Sequence, residues 1–597
     1  MTRIKNALDD YVSFDPEDPS GHFTATVRSP KGRRVTVIGT LGDPEPEITG
    51  DAMLTDNAAI AQNLWSAVSE YAQAIALEED DERTYGDLSD MEVRDRDDDR
   101  SRAESIRQKA ADLLAEAEEE ERARKEREKI RESHLDAAKE LISTAETIAE
   151  LTENLTDEST EGWCSNCVTE TTHHEVASSG TWRDIHICSN CGVPTVHCSA
   201  IGCSSMAVKE NGTKGLVPYC AEHRHDIASF TRANDTISDI AEWRELVRYE
   251  KPDLAKRTTR LAFGTAALGM AASGAWLAAP AVGGFVGAQF LGYTGAVATN
   301  AGLAALGGGA VAAGGLGMAG GTYVVAAAGG VLGGVYGDRI VSSYVSEDDS
   351  FDIEKIRDGA GVPVVIARGF LNEGNNEWGH AVGATEALYP DSPVYLLSWG
   401  SKELKHLGSM VSTQFGAQAA KNALFRGVAR ASKQAAKAIA PVAPVLAAGT
   451  LLKNPWHTAV NRANLTGTAL AALLAKSEQE EFVLVGHSLG GRVMATAAMS
   501  LAGFGNQTKI RDIHLVGAAI GANRDWTPLN AAVSGTVHNY WSSNDGVLKY
   551  LYTYAQLGQK AIGYRGIHSS LPRIIDHDVS KQVKNHGRYY RDTTLQA

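Results

Sequence analysis

A chain of 597 residues with 57 Lys and Arg against 74 Asp and Glu carries a formal charge of −17. That balance excludes a general nucleic-acid binder, because phosphate contacts need clustered cations. The length exceeds what one hydrophobic core organises, so three or more structural units are expected.

The chain opens on MTRIKNALDDYVSFDPEDP, which holds no apolar run of signal-peptide length, so the soluble parts are expected on the cytosolic side. Residues 1–90 read as a small mixed unit, with a strand at RRVTVIGTLG and a helix at NAAIAQNLWSAVSEYAQAIAL. Residues 91–160 read as a charged helical or coiled-coil segment. Acids crowd EEDDER from Glu78, DRDDDR from Asp95 and EAEEEER from Glu116, as in a solvated region. The stretch 101–155 is rich in Ala, Glu, Arg and Leu and free of Pro and Gly, which favours helix. Its apolar residues Ile130, Leu135, Leu141, Ile142 and Ile148 keep no strict heptad, which describes a helical hairpin, an irregular coiled coil or a spacer helix.

All seven cysteines lie between Cys164 and Cys220, and such a cluster in a cytosolic protein points to metal rather than disulfides. Cys164, Cys167, Cys188 and Cys191 form C-x2-C-x20-C-x2-C, a set of four thiolates for a tetrahedral zinc ion. Cys198, Cys203, Cys220 and His223 supply three sulfurs and one nitrogen for a second, with His173, His174 and His225 as substitutes for His223. Four protein ligands each leave no position for water or substrate, so residues 161–228 read as a structural two-zinc module able to present a surface to a protein partner. No organic cofactor is expected.

Residues 258–346 form a Gly/Ala-rich unit, and 261–337 contain no charged residue at all. The run is long enough for two or three membrane crossings, and small residues allow close helix packing there. Lys256, Arg257 and Arg260 suit a cytosolic flank. A buried helical hairpin inside the protein is the alternative.

Residues 350–597 carry the chemistry. EEFVLV reads as a buried strand, GHSLGG as a tight turn and RVMATAAMSLAG as an amphipathic helix, the strand-turn-helix of a nucleophile elbow. Ser488 is then the nucleophile, at a helix N-terminus where the dipole and the Leu489 N–H stabilise an oxyanion. VPVVIARG, PVYLLSWG, IHLVGAA and TVHNYWS read as further strands alternating with helices, which predicts a doubly wound, mostly parallel sheet of the α/β-hydrolase type. The loop RGFLNEG follows the first of them, so the Phe370 N–H is the second oxyanion donor. The acid follows the serine and closes a strand: Asp545 meets both conditions, while Asp525, Asp576 and Asp578 fit less well. His586 lies beyond the last predicted strand, where the base is expected, with His568 and His577 as alternatives.

The runs VVIARGFLNEG, GHSLGGRV, IRDIHLVGAAIG, SGTVHNYWSSNDGVL and DVSKQVKNHGRYY resemble the transmembrane and coiled-coil domain-containing, α/β-hydrolase-like family of fungi and animals, with bacterial relatives. The resemblance spans about Leu261 to Tyr590 and leaves out the N-terminal region and the cysteines. It implies a membrane-associated serine esterase or lipase, with the family's serine, aspartate and histidine on Ser488, Asp545 and His586.

Between PVYLLSWG and the elbow lie too many residues for a simple crossover, so a helical cap is expected at about 401–475. Within it Arg426, Arg430, Lys433 and Lys437 share one helical face and no acid occurs from Leu404 to Lys453, a pattern suited to an anionic membrane surface or to an ordinary solvated cap face. Two readings follow. One is a membrane-associated lipase, phospholipase or carboxylesterase acting on a lipid or acyl ester through an acyl-enzyme on Ser488. The other is a membrane-active scaffold that recruits a partner through its zinc module, with hydrolysis secondary or lost.

Overall fold

In a computed structural model of the chain the described residues are 7–14, 21–40, 46–86, 128, 131–132, 134–136, 138–177, 184–209, 217–233, 235–254, 341, 350–369, 375–400, 453–502, 509–522, 526–553 and 560–597. The apolar run 261–337, the charged stretch 87–127, the cationic residues Arg426 to Lys437, Asp525 and Phe370 lie outside them.

The N-terminal unit is a four-stranded antiparallel sheet of β1 (Val12–Phe14), β2 (His22–Arg28), β3 (Arg34–Thr40) and β4 (Glu47–Gly50), in that order. Alternation along β2 and β3 turns Phe23, Ala25, Val27, Val35 and Val37 to one face, as the period of a strand requires. There they meet Leu64, Trp65 and Val68 of the helix Ala58–Gly86, with the Phe23 and Trp65 ring centroids 4.8 Å apart. Residues 138–152 are helical. Their buried side chains, Ala138, Leu141, Ile142, Ala145, Ile148 and Ala149, join this same core. The spacing of three and four residues makes one apolar stripe, and it faces the N-terminal unit.

A second sheet of five antiparallel strands runs β5 (Leu155–Trp163), β6 (Glu170–Val176), β7 (His186–Cys188), β8 (Pro194–His197) and β9 (Met206–Val208) in order. Its strands and turns hold Cys164, Cys167, Cys188, Cys191, Cys198 and Cys203, and Cys220 follows it.

The third sheet has the order β10-β12-β11-β13-β14-β15-β16, from β10 (Asp352–Arg357), β11 (Val364–Ala367), β12 (Val394–Ser398), β13 (Phe482–His487), β14 (Ile510–Val516), β15 (Val537–Trp541) and β16 (Ile574–Asp578). All neighbours pair parallel except β10, an antiparallel edge strand on β12. The central strands β11 and β13 are buried along their whole length, as expected of a parallel sheet covered on both faces. Val365, Ala367, Leu397, Leu484 and Leu515 pack on one face with the helices Lys453–Lys476 and Leu489–Ala502. Val364, Ile366, Leu396, Val485 and Tyr540 pack on the other with the helix Asn375–Leu388 and the C-terminal segment around Tyr589.

Two boundaries differ from the sequence reading. The residues from Lys453 onward are not cap: the helix Lys453–Lys476 buries Leu470, Leu473 and Leu474 in the sheet core, and at Gly467 a Cβ would stand 2.6 Å from the Val493 carbonyl oxygen. Nor is 161–228 a self-contained module. Cys164, Cys167, Cys188 and Cys191 belong to the core of the N-terminal unit, whereas Cys198 and Cys220 share a core with the seven-stranded sheet. The segment 217–254 carries that second core to the sheet edge. Its Trp243 ring lies 5.2 Å from Phe351, Arg244 pairs with Asp352 at 2.8 Å, and buried Lys476 donates to the Ala233 carbonyl at 2.7 Å.

Candidate functional site

β13 runs into the turn at Ser488, which has φ +59°, a left-handed conformation that costs a non-glycine residue free energy and recurs at functional turns. The turn is over-determined. The Ser488 N–H donates to the Val516 carbonyl at 3.1 Å, and its carbonyl accepts from Gly491 N at 3.1 Å and Ala519 N at 3.0 Å. Neighbouring glycines make room: a Cβ on Gly486 would sit 2.4 Å from the Gly490 carbonyl oxygen, and one on Gly490 2.4 Å from that of Ala367. The helix Leu489–Ala502 starts here, so the Leu489 N–H lies in the first turn, where backbone donors have no intrahelical acceptor. The loop after β11 crosses directly over it. A Cβ on Gly369 would stand 2.6 Å from both Ser488 Cβ and Leu489 N, so the residue before Phe370 touches the elbow.

Asp545 lies just past β15, fully buried. Its Oδ2 is 2.6 Å from His586 Nδ1 and 3.1 Å from the Tyr589 hydroxyl; its Oδ1 accepts from Leu548 N at 3.0 Å. His586 is also buried, and its Nε2 has no hydrogen-bond partner among the described residues. The residue before the serine ties this pair to the elbow: His487 Nε2 donates to the His586 carbonyl at 2.8 Å, and the two rings lie 4.7 Å apart. Burial, and then the His586 charge, lower the His487 pKa to about 3, so His487 is neutral at physiological pH and serves as a fixed donor.

The other sequence candidates are placed elsewhere. Asp576 accepts from Ile567 N at 2.9 Å and Asn539 Nδ2 at 2.7 Å, fastening a turn. Asp578 ends β16 exposed and accepts from Ser580 N at 2.9 Å. His568 is exposed, 3.7 Å from Asp576. His577 belongs to a histidine row, with Nε2 3.0 Å from His538 Nδ1; His538 stacks on His514 at 4.8 Å. His487 and Tyr589 were not singled out from the sequence. His487 sits inside GHSLG, and Tyr589 lies one turn past His586 in HGRYY, the two signals available.

Two further clusters bring ligand-type atoms within 4.8 Å of one another: Cys164, Cys167, Cys188 and Cys191, and Cys198, Cys203, Cys220 and His223. In the first, Cys164 and Cys191 Sγ are 3.8 Å apart and Cys167 and Cys188 Sγ 3.9 Å. A tetrahedron with metal–sulfur bonds of about 2.3 Å has edges of about 3.8 Å, so the thiolates fit a zinc-sized ion. In the second, Cys203 and Cys220 Sγ are 3.8 Å apart and His223 Nδ1 is 3.2 Å from Cys220 Sγ. The substitutes for His223 are engaged elsewhere or lie outside this group: His173 Nδ1 bonds Thr195 Oγ1 at 2.9 Å, His225 Nε2 bonds the Lys251 carbonyl at 2.7 Å, and His174 is in neither cluster. Each complete set of four closes its coordination sphere, so an ion there supplies folding energy.

Among curated proteins, the transmembrane and coiled-coil domain-containing protein STS1 of Oryza sativa subsp. japonica is 26% identical over 200 residues, 33% of this chain and 30% of the relative. An uncharacterized membrane protein of Caenorhabditis elegans is 28% identical over 254 residues, 41% of each chain. Another, of Schizosaccharomyces pombe, is 33% identical over 146 residues, 24% of this chain and 18% of the relative. The chain thus spans less than half the length of these relatives. No solved structure matches. Among the described residues no helix is long and apolar enough to cross a membrane. The family described as protein of unknown function DUF726 covers residues 257–595, more than half of the chain, and the chain belongs to that family.

Proposed function

We propose that this chain is a serine hydrolase of the α/β-hydrolase type, acting at a membrane on an acyl ester carried by a lipid. The observation that carries the reading is Ser488 at φ +59° between a buried parallel strand and a helix N-terminus, with the buried Asp545–His586 pair tied to the preceding residue. Strand-turn-helix context is what separates a nucleophile elbow from a chance G-x-S-x-G. Chain order Ser, Asp, His and a mostly parallel seven-stranded sheet support the same assignment. The membrane part rests on the names of the relatives, two of them called membrane proteins and one transmembrane.

In this mechanism His586 Nε2 takes the Ser488 hydroxyl proton as Oγ bonds the ester carbonyl carbon, while Asp545 holds the Nδ1–H and balances the imidazolium. The negative oxygen is stabilised by the Leu489 N–H, with the Phe370 N–H as the second donor that the sequence suggests. Collapse breaks the carbon–oxygen bond of the ester, and the departing alcohol takes the proton from Nε2. Water then gives a proton to Nε2, attacks the acyl-serine, and releases the acid as Oγ is reprotonated.

A fluorophosphonate probe tests this. The wild type is expected to be labelled at Ser488 and to cleave short acyl esters, and Ser488→Ala to do neither while melting at the wild-type temperature. If the wild type is neither labelled nor active on vesicle-borne esters, the scaffold reading replaces this one.

A further inference from the structure

Asp545 Oδ2 accepts from two donors, and the second lies outside the serine–histidine–aspartate set. Tyr589 is fully buried, three residues past His586, at the start of the helix Tyr589–Asp592. Its hydroxyl lies 3.1 Å from Asp545 Oδ2 and 2.9 Å from the Gly563 carbonyl oxygen. One proton therefore serves two acceptors, a carbonyl at the shorter distance and a carboxylate whose charge offsets its longer one. The ring beneath that hydroxyl is equally constrained. Gly517 has φ +51°, and a Cβ there would stand 2.6 Å from the Tyr589 ring; two residues on, the Ala519 N–H holds the Ser488 carbonyl at 3.0 Å. Tyr589 thus touches the acid, the Gly563 carbonyl and the loop that braces Ser488.

We propose that Tyr589 is a positioning residue of the proposed hydrolase, whose hydroxyl fixes Asp545 and withdraws charge from Oδ2, setting how strongly the carboxylate stabilises the His586 imidazolium. The inference rests on the serine-hydrolase reading above. Burial first, and then the Asp545 charge, raise the Tyr589 pKa well above the usual phenol range, which keeps the hydroxyl a donor at every working pH. Without that donor the carboxylate charge on Oδ2 is less dispersed, and the imidazolium formed during the reaction is favoured.

Tyr589→Phe keeps the ring under Gly517 and removes only the oxygen. Turnover is expected to fall about tenfold with KM unchanged, as for a hydrogen bond to a charged group. The acid limb of kcat/KM should move to higher pH by about half a unit. Site-specific replacement of Tyr589 by 3-fluorotyrosine makes the hydroxyl more acidic and should move the limb the other way, with the melting temperature checking the fold. The downfield proton resonance of the His586 Nδ1–H should shift in opposite directions in the two variants. That signal needs no turnover: absent labelling of the wild type sinks the hydrolase reading, while the resonance still decides on Tyr589. Unchanged turnover, acid limb and resonance in both variants would overturn the proposal, as would shifts of one sign.

Discussion

A left-handed serine sits in a turn whose surrounding glycines, Gly369, Gly486 and Gly490, leave no room for a Cβ. Gly369 shows how tight the fit is, since its missing Cβ would meet Ser488 Cβ and Leu489 N at 2.6 Å, one of them backbone that cannot swing aside. Gly369→Ala is therefore expected to push the loop off the elbow and cut fluorophosphonate labelling at least tenfold, a loss typical of misplaced catalytic groups. Wild-type labelling of the purified variant would refute the contact. At this scale much of the constellation was readable. The order of acid and base, and the strand ahead of Asp545, single out a pair that the fold brings together: His586 reaches Asp545 at 2.6 Å, while His568 and His577 lie elsewhere. Tyr589 was not readable, because its part depends on which carboxylate oxygen a side chain from another turn reaches. Nor was Asp578 seen as closing a strand, for IIDHD has too few apolar residues to announce an edge strand such as β16.

Along the parallel strands β14, β15 and β16 a row of histidines, His514, His538 and His577, crosses one face of the sheet. The groups facing it are the Tyr389 hydroxyl, 2.7 Å from His514 Nε2, and Tyr540, 3.2 Å from Nδ1, with Asp512 and Asp576 as the nearby carboxylates. Burial first, and then the neighbouring histidines, hold His514 well below the usual imidazole range and His538 at about 4; burial also lowers His577. The unfolded chain takes up these protons near pH 6.5 and the folded one resists, so the stability is present above about 6.5 and is lost as pH falls toward about 4. The melting temperature should drop over that window, and His538→Gln should flatten the drop. An unchanged acid profile in that variant would remove the row from the account. Strands β11 to β14 were legible as apolar runs closed by Gly and β15 from TVHNYWS, whereas β10 was not. DIEKIR is mostly polar because an antiparallel edge strand buries little.

Across the whole molecule the two cysteine clusters serve two cores. Purified protein should carry close to two zinc ions per chain. Cys188→Ser is expected to loosen the N-terminal unit, seen as faster proteolysis within residues 1–86, while leaving labelling of Ser488 intact. Cys220→Ser should lower the melting temperature of the seven-stranded sheet and reduce labelling with it, since removing a structural metal costs folding energy outright. Equal responses to the two substitutions would contradict the split. The two candidate clusters were legible from spacing, but their partition was not, because it depends on which core, that of Leu64 or that of Trp243, each set joins. The strap between the two centres is short. From Cys191 to Cys198 the chain, at about 3.5 Å per residue, reaches at most about 25 Å, and β8 occupies most of it. Two bound ions would therefore form a built-in ruler: paramagnetic metals in both sites should report one narrow distance, whatever sits on Ser488. The strap is not the only tie between them, for the Trp163 ring stacks 5.6 Å from Phe230 and the Ala221 N–H donates to Ser165 Oγ at 3.0 Å.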